Sequence, residues 1–273
     1  MTMEKTSLAT PSPNMHLGMD RIVLFTAPSG GTGLTTLASM FALRTSAAGA
    51  KTALVDLNVH SGGMDVTLGI EGEPGLRMSG ISAPLGRLSG AALDAELPHW
   101  EGISVLAADP WNNAIPKVWE IRAAIEALAQ THDVVVLDSG QAIELEEYGL
   151  SDQMRAVMLV EMSVLGMARA KSHVTRVTRQ VKHADMQVVG IHPRMACSQS
   201  VRMHEADARA YLQLPVIGSI MPRRALGLSI VQGLGIPGIP RSYRHLFDRL
   251  VHDVLSFASA PSPVSRRRHV TRS

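Results

Sequence analysis

The chain has 273 residues, of which 45% are hydrophobic and 18% charged, with a formal net charge of +2. That is globular composition, long enough to bury a large core, and it does not mark the whole chain as a nucleic-acid binder. Cys197 is the only cysteine, which excludes a disulfide framework, a zinc cluster or an iron–sulfur ligand set within one chain.

Residues 1–20 are polar and contain prolines, and are expected to form a disordered lead-in. They lack the basic-then-apolar pattern of a signal peptide. Residues 21–258 read as one domain, and 259–273 as a disordered basic tail ending in RRRHVTRS. No segment approaches the ~20 apolar residues of a membrane helix. The longest candidate, AVMLVEMSVLGMA, is interrupted by Glu161. These features predict a cytoplasmic protein with no integral membrane segment.

In chain order, RIVLFTA, TALVDL, ISVLAA, DVVVLD, AVMLVE, QVVGIH and PVIGSI are candidate strands. Several are apolar on both faces, as central parallel strands are. LTTLASMFALRTSAAGA and VWEIRAAIEALAQ have helical spacing. The alternation predicts a doubly wound, mainly parallel α/β sheet over a single core. Residues 70 to 95 are rich in Gly and Ser and predict a long connection with short helices near the functional site.

The stretch APSGGTGLTTLA, from Ala27 to Ala38, follows the first strand and opens a helix. Strand, glycine loop and helix N-terminus in this order form a phosphate cradle, because converging backbone N–H groups meet the anion. Gly30, Gly31 and Gly33 allow positive φ and close backbone approach. Thr35 stands where a Ser/Thr helps to hold Mg²⁺. Against GxxxxGK[ST], Pro28 replaces the first glycine and Leu34 the lysine. The alternative is a tight βα turn with no ligand.

TALVDL carries Asp56 near its end, and DVVVLD ends in Asp138. Doubly wound folds bind ligands at the C-terminal ends of strands, where such carboxylates can order Mg²⁺ through water. The alternative for each aspartate is a local cap or ion pair.

With these motifs the chain resembles the ParA/MinD family of deviant Walker P-loop ATPases, from about Arg21 to about Leu255. PSGGTGLTT stands for the family's xKGGxGKTT, and VDLNVHSGGMDVTLG resembles its second signature through Asp56, Asn58 and Asp65. VVVLDSG resembles the Walker B strand, and LPVIGSIMPRRALGLSIVQGLGI the closing strand and purine loop. The resemblance implies ATP or ADP with Mg²⁺ on Gly30, Gly31, Thr32, Gly33, Leu34, Thr35 and Thr36. Pro222 and Arg223 would lie near the base, and Thr35, Asp56 and Asp138 would serve the metal. DLNVHSGGMDVTLGIEGEPGLRMSGI is similar to the CpaE/TadZ branch, which includes septum-site-determining-like proteins encoded near pilus and secretion genes.

In the family, a lysine at position 34 reaches the β- and γ-phosphates, and one at position 29 crosses a dimer interface. Here these positions are Leu34 and Ser29, and Asn58 replaces the second aspartate that positions the attacking water. Loss of one charge-assisted hydrogen bond weakens binding by roughly 10- to 100-fold. Losing a transition-state cation costs ~10³–10⁵ in rate. The sequence therefore predicts weak or absent nucleotide binding and very slow or no ATPase activity.

The resemblance also implies a homodimer with partners in pilus, secretion or division machinery, recruited to a pole, midcell or the inner face of the membrane. An active ATP-dependent dimerising switch is the alternative. An ATP-dependent ligase like dethiobiotin synthetase has no substrate constellation here. Arg169, Arg176, Arg179 and His183 fall roughly on one helix face, as in DNA-binding relatives, but a solvated face is favoured. Leu246, Phe247, Leu250, Val251, Val254 and Leu255 give the last helix an apolar face, predicted to dock on the core. Trp100, Trp111 and Trp119 are expected to pack in the core or in loops.

Overall fold

The computed structural model describes residues 19–59, 63–109, 111–112, 114–141, 148, 154–180, 185–194 and 203–258. The predicted lead-in up to residue 18, the tail from 259, Cys197 and His183 lie outside them.

Among the described residues, eight strands form one sheet: β1 (Ile22–Thr26), β2 (Thr52–Asp56), β3 (His99–Trp100), β4 (Ile103–Leu106), β5 (Val134–Asp138), β6 (Arg155–Glu161), β7 (Asp185–Ile191) and β8 (Val216–Ile220). Their order is β3-β4-β2-β5-β1-β6-β7-β8. Every pairing is parallel except β3 with β4. The seven predicted strands are all present. β3 was not predicted, because two residues carry no usable alternation.

β1, β2, β4 and β5 are buried along their whole length, as their apolar character on both faces requires. Successive side chains of β1 alternate between two cores. Ile22 and Leu24 join one core with α4 (Val118–Thr131) and α5 (Val164–Gln180). Val23 and Phe25 join the other with α1 (Leu34–Ala47) and α8 (Arg244–Ala258). Phe25 and Phe41 pack with tilted rings, their centroids 5.1 Å apart.

The apolar face of α8 docks as predicted. Leu246, Phe247, Leu250, Val251 and Val254 are buried, and Leu255 packs against the same core. Arg44 on α1 and Asp248 on α8 form an ion pair at 2.6 Å across the seam.

The segment between β2 and β3 holds α2 (Met64–Leu68), a short 3₁₀ turn (Met78–Gly80) and α3 (Gly90–Glu96). α3 packs on α4. A Cβ on Gly90 would stand 2.3 Å from the Ala127 carbonyl oxygen, so the close approach requires glycine. The expected short helices are present, and residues 70 to 95 do not themselves line the cleft described below. Their apolar groups Met78, Ile81 and Leu93 are drawn into the α4 core instead.

Candidate functional site: a glycine loop with two strand-end aspartates

β1 delivers the chain at the C-terminal edge of the sheet, between β5 and β6. The chain then turns through residues 27–33 into α1. Gly31 (φ 73°) and Gly33 (φ 91°) hold left-handed backbone, so the turn needs glycine at both positions. Gly33 caps α1 without a side-chain hydrogen bond, leaving the first N–H groups of the helix to an outside acceptor. Thr32 Oγ1 donates to the Ser29 carbonyl at 3.3 Å.

Leu34 is only 6% exposed and belongs to the α1 core cluster with Phe25 and Leu37. Its side chain is core material. The position where the pattern asks for a cation is committed to apolar packing.

Thr35 Oγ1 donates to Asp138 Oδ2 at 2.6 Å, and the Gly140 N–H donates to Asp138 Oδ1 at 3.1 Å. Asp56 Oδ1 accepts from the Asn58 N–H at 2.9 Å. Asp56 and Asp138 are both buried. Burial pushes the Asp56 carboxyl up to about 7, helped by the charge of Asp138 and opposed by backbone N–H donors. Burial also raises Asp138, while Thr35 and Gly140 hold it down. Such a pair gains from a bound divalent cation, which neutralises both. Thr35, Asp56 and Asp138 are oxygen donors of the kind Mg²⁺ takes, and the Thr35–Asp138 contact brings two of them within reach of one ion.

A cleft of about 860 Å³ opens over the loop. Its lining includes Ser29, Gly30, Gly31, Thr32, Gly33, Leu34, Thr35 and Thr36, together with Asn58 and Asp138. Pro222 and Arg223 line it from the loop after β8. The volume lies within the ~300–1,000 Å³ of small-molecule sites. Met40, Leu226 and Ile230 supply apolar wall, and the Tyr243 hydroxyl donates to the Met221 carbonyl beneath it. The structure thus gathers the loop residues, Asn58, Asp138, Pro222 and Arg223 around one cleft. Asp56 sits behind, beside Asp138 in the sheet.

Other candidates lie elsewhere. Asp65 is buried against Arg77 at 3.5 Å and does not line the cleft. Arg169, Arg176 and Arg179 are exposed on α5. Trp100 is buried, Trp111 is 83% exposed in the segment after β4, and Trp119 is 51% exposed on α4. Lys117 Nζ lies 4.8 Å from the Trp119 ring centroid.

Sequence reasoning missed Gln141, Arg194 and Arg224, which also line the cleft. Gln141 follows the Asp138 strand end closely, and that proximity was its only signal. A Cβ on Gly30 would fall 2.8 Å from Gln141 Nε2, so the amide lies against the loop. His173 was missed too. Its ring is buried on α5, with Nε2 2.8 Å from Thr26 Oγ1 and Nδ1 3.2 Å from Arg176, which ties α5 to the end of β1.

No protein-family model matches the chain. A putative septum site-determining protein MinD of Guillardia theta is 23% identical over 265 residues, covering 92% of this chain and 97% of that protein. An uncharacterised Mycobacterium tuberculosis protein is 44% identical over 78 residues, which is 29% of this chain and 21% of the relative. The chain therefore matches about a fifth of that relative's length.

Among solved structures, Aquifex aeolicus MinD aligns with TM-score 0.66 and 18% identity, over 88% of this chain and 99% of that one. A ParA family ATPase from Chlorobium tepidum gives 0.63 and 16%, over 88% and 98%. Pyrococcus horikoshii MinD, complexed with Mg-ADP, gives 0.63 and 15%, over 88% and 97%. The described residues form a single domain with the ParA/MinD-type P-loop NTPase fold. At these identities the likeness establishes fold.

Proposed function

We propose that the chain is a ParA/MinD-like spatial regulator or scaffold whose nucleotide site holds ATP or ADP weakly and turns it over very slowly or not at all. One observation carries this reading. The loop keeps its glycines and the Thr35–Asp138 hydrogen bond, while Leu34 is packed into the core. A cradle with metal-side oxygens but no loop lysine suits holding better than chemistry.

Loop N–H groups at Gly30, Gly31, Thr32, Gly33, Leu34, Thr35 and Thr36 would take the phosphates, with Pro222 and Arg223 beside the base. Thr35, Asp56 and Asp138 would hold Mg²⁺, which when bound neutralises phosphate charge. Asn58 lines the cleft and can hydrogen-bond water, but it cannot accept a proton as a carboxylate does. Ser29 likewise offers no cation.

The domain is residues 21–258, entered through the short 3₁₀ turn Met19–Arg21. The protein acts in the cytoplasm as a homodimer whose surface recruits partners at a pole, midcell or the inner face of the membrane. The CpaE/TadZ-like pattern after Asp56 supports a place in pilus assembly or secretion, and the Guillardia theta relative supports septum placement. Nonspecific DNA binding through the exposed α5 arginines is not favoured.

Titration with a fluorescent ATP analogue, with and without Mg²⁺ and alongside light scattering, tests this reading. Binding with a doubling of mass supports it. No binding at any concentration removes nucleotide from the account. The second reading, an active switch, is favoured by retention of both Asp56 and Asp138, and it requires phosphate release that accompanies binding.

A further inference from the structure

The cleft is one-sided in charge. Among the described residues that line it, the cations are Arg194, Arg223 and Arg224, and the only carboxylate is Asp138. Asp138 is occupied by Thr35 and Gly140. Arg223 is tethered to Ser242 at 2.8 Å. Arg194, after β7, and Arg224, opening α7 (Arg224–Val231), are both exposed. Neither side chain has an ion pair or hydrogen bond with a described residue. Cations that line one cleft without anionic partners raise its positive potential, and a polyanion in the cleft is favoured by it.

We infer that Arg194 and Arg224 supply the positive charge that the glycine loop lacks, so the cleft selects polyphosphate ligands through its far wall. The inference deepens the nucleotide reading and rests on it for the identity of the ligand. β7 and β8 lie two and three strands from β1, about 10 and 14 Å at the usual strand spacing. The effect is therefore exerted through the potential of the cleft and does not require a lysine-like contact at the terminal phosphate. Apolar and backbone walls focus such a field, and salt screens it.

The test uses the full chain and the Arg194→Gln and Arg224→Gln variants, singly and together, with thermal melting as the check on folding. Fluorescent AMP, ADP and ATP analogues and inorganic tripolyphosphate are titrated at low and moderate salt. For ATP, each substitution is expected to weaken binding by roughly tenfold at low salt, less for ADP and least for AMP. The double variant should also lose most of the salt dependence.

If the folded double variant binds ATP like the wild type, the inference falls and the nucleotide reading stands. Equal losses for AMP, ADP and ATP, with none for tripolyphosphate, also overturn it, because the arginines would then serve the base. If tripolyphosphate binds in an arginine-dependent way and nucleotides bind no better, the inference stands and the nucleotide reading falls. If no probe binds the wild type, both fall.

Discussion

Asp56 and Asp138 are register partners on the adjacent parallel strands β2 and β5, so their carboxylates stand side by side at the C-terminal edge of the sheet. Burial, with the Asp138 charge second, lifts Asp56 to about 7 against an ordinary 3.8. A carboxyl raised in the folded state binds its proton more tightly there than in the unfolded chain. Ionising it therefore removes stability as pH rises from about 4 towards 7, and the penalty is complete above that. Asp56→Asn should raise the metal-free melting temperature at pH 8 and change it little at pH 4. The effect is on the order of a few kcal/mol, from ~1.4 kcal/mol per pH unit. Thermal melts in chelator at the two pH values check this.

His173 gives the opposite slope. Burial, with Arg176 beside it, lowers its ring to about 4 from 6.5. The unfolded histidine takes up a proton first as pH falls. The neutral buried ring contributes stability that is complete above pH 6.5 and is lost as pH falls towards 4. His173→Gln should flatten the acid limb of the stability curve between these values. Denaturant titrations at pH 7, 5.5 and 4.5 measure it.

Leu34→Lys restores the cation that the loop pattern asks for. It should tighten ATP-analogue binding by roughly 10- to 100-fold. It should also lower stability by ~1–3 kcal/mol, because Leu34 fills a core position. Phosphate release should stay negligible, since Ser29 and Asn58 are unchanged. Paired binding and release assays on the variant decide the point.

Gly90→Ala should destabilise the chain without touching the cleft. Its Cβ would meet the Ala127 carbonyl oxygen at 2.3 Å, a backbone atom that cannot step aside. A cost of ~1–3 kcal/mol is expected from overpacking. A fall in melting temperature with nucleotide affinity unchanged would show that the α3–α4 contact is structural.

The central sheet was readable because parallel strands buried on both faces leave continuous apolar runs, as in DVVVLD and AVMLVE. The glycine loop was readable because its chemistry is local: glycines, a threonine and a helix start within ten residues. Arg194 and Arg224 were not, since they come from the chain after β7 and the start of α7, and only the strand order puts those segments on the same side of β1 to line one cleft with the loop. The lysine's absence was visible at Leu34, but not its packing.

Phosphate release at saturating ATP and Mg²⁺, measured on the wild type and Asp138→Ala, tests the holding-site account most directly. The account predicts that nucleotide binds to the wild type while release stays at background in both proteins. Turnover by the wild type that Asp138→Ala abolishes would contradict it, and would make the chain a working ATPase despite Leu34, Ser29 and Asn58.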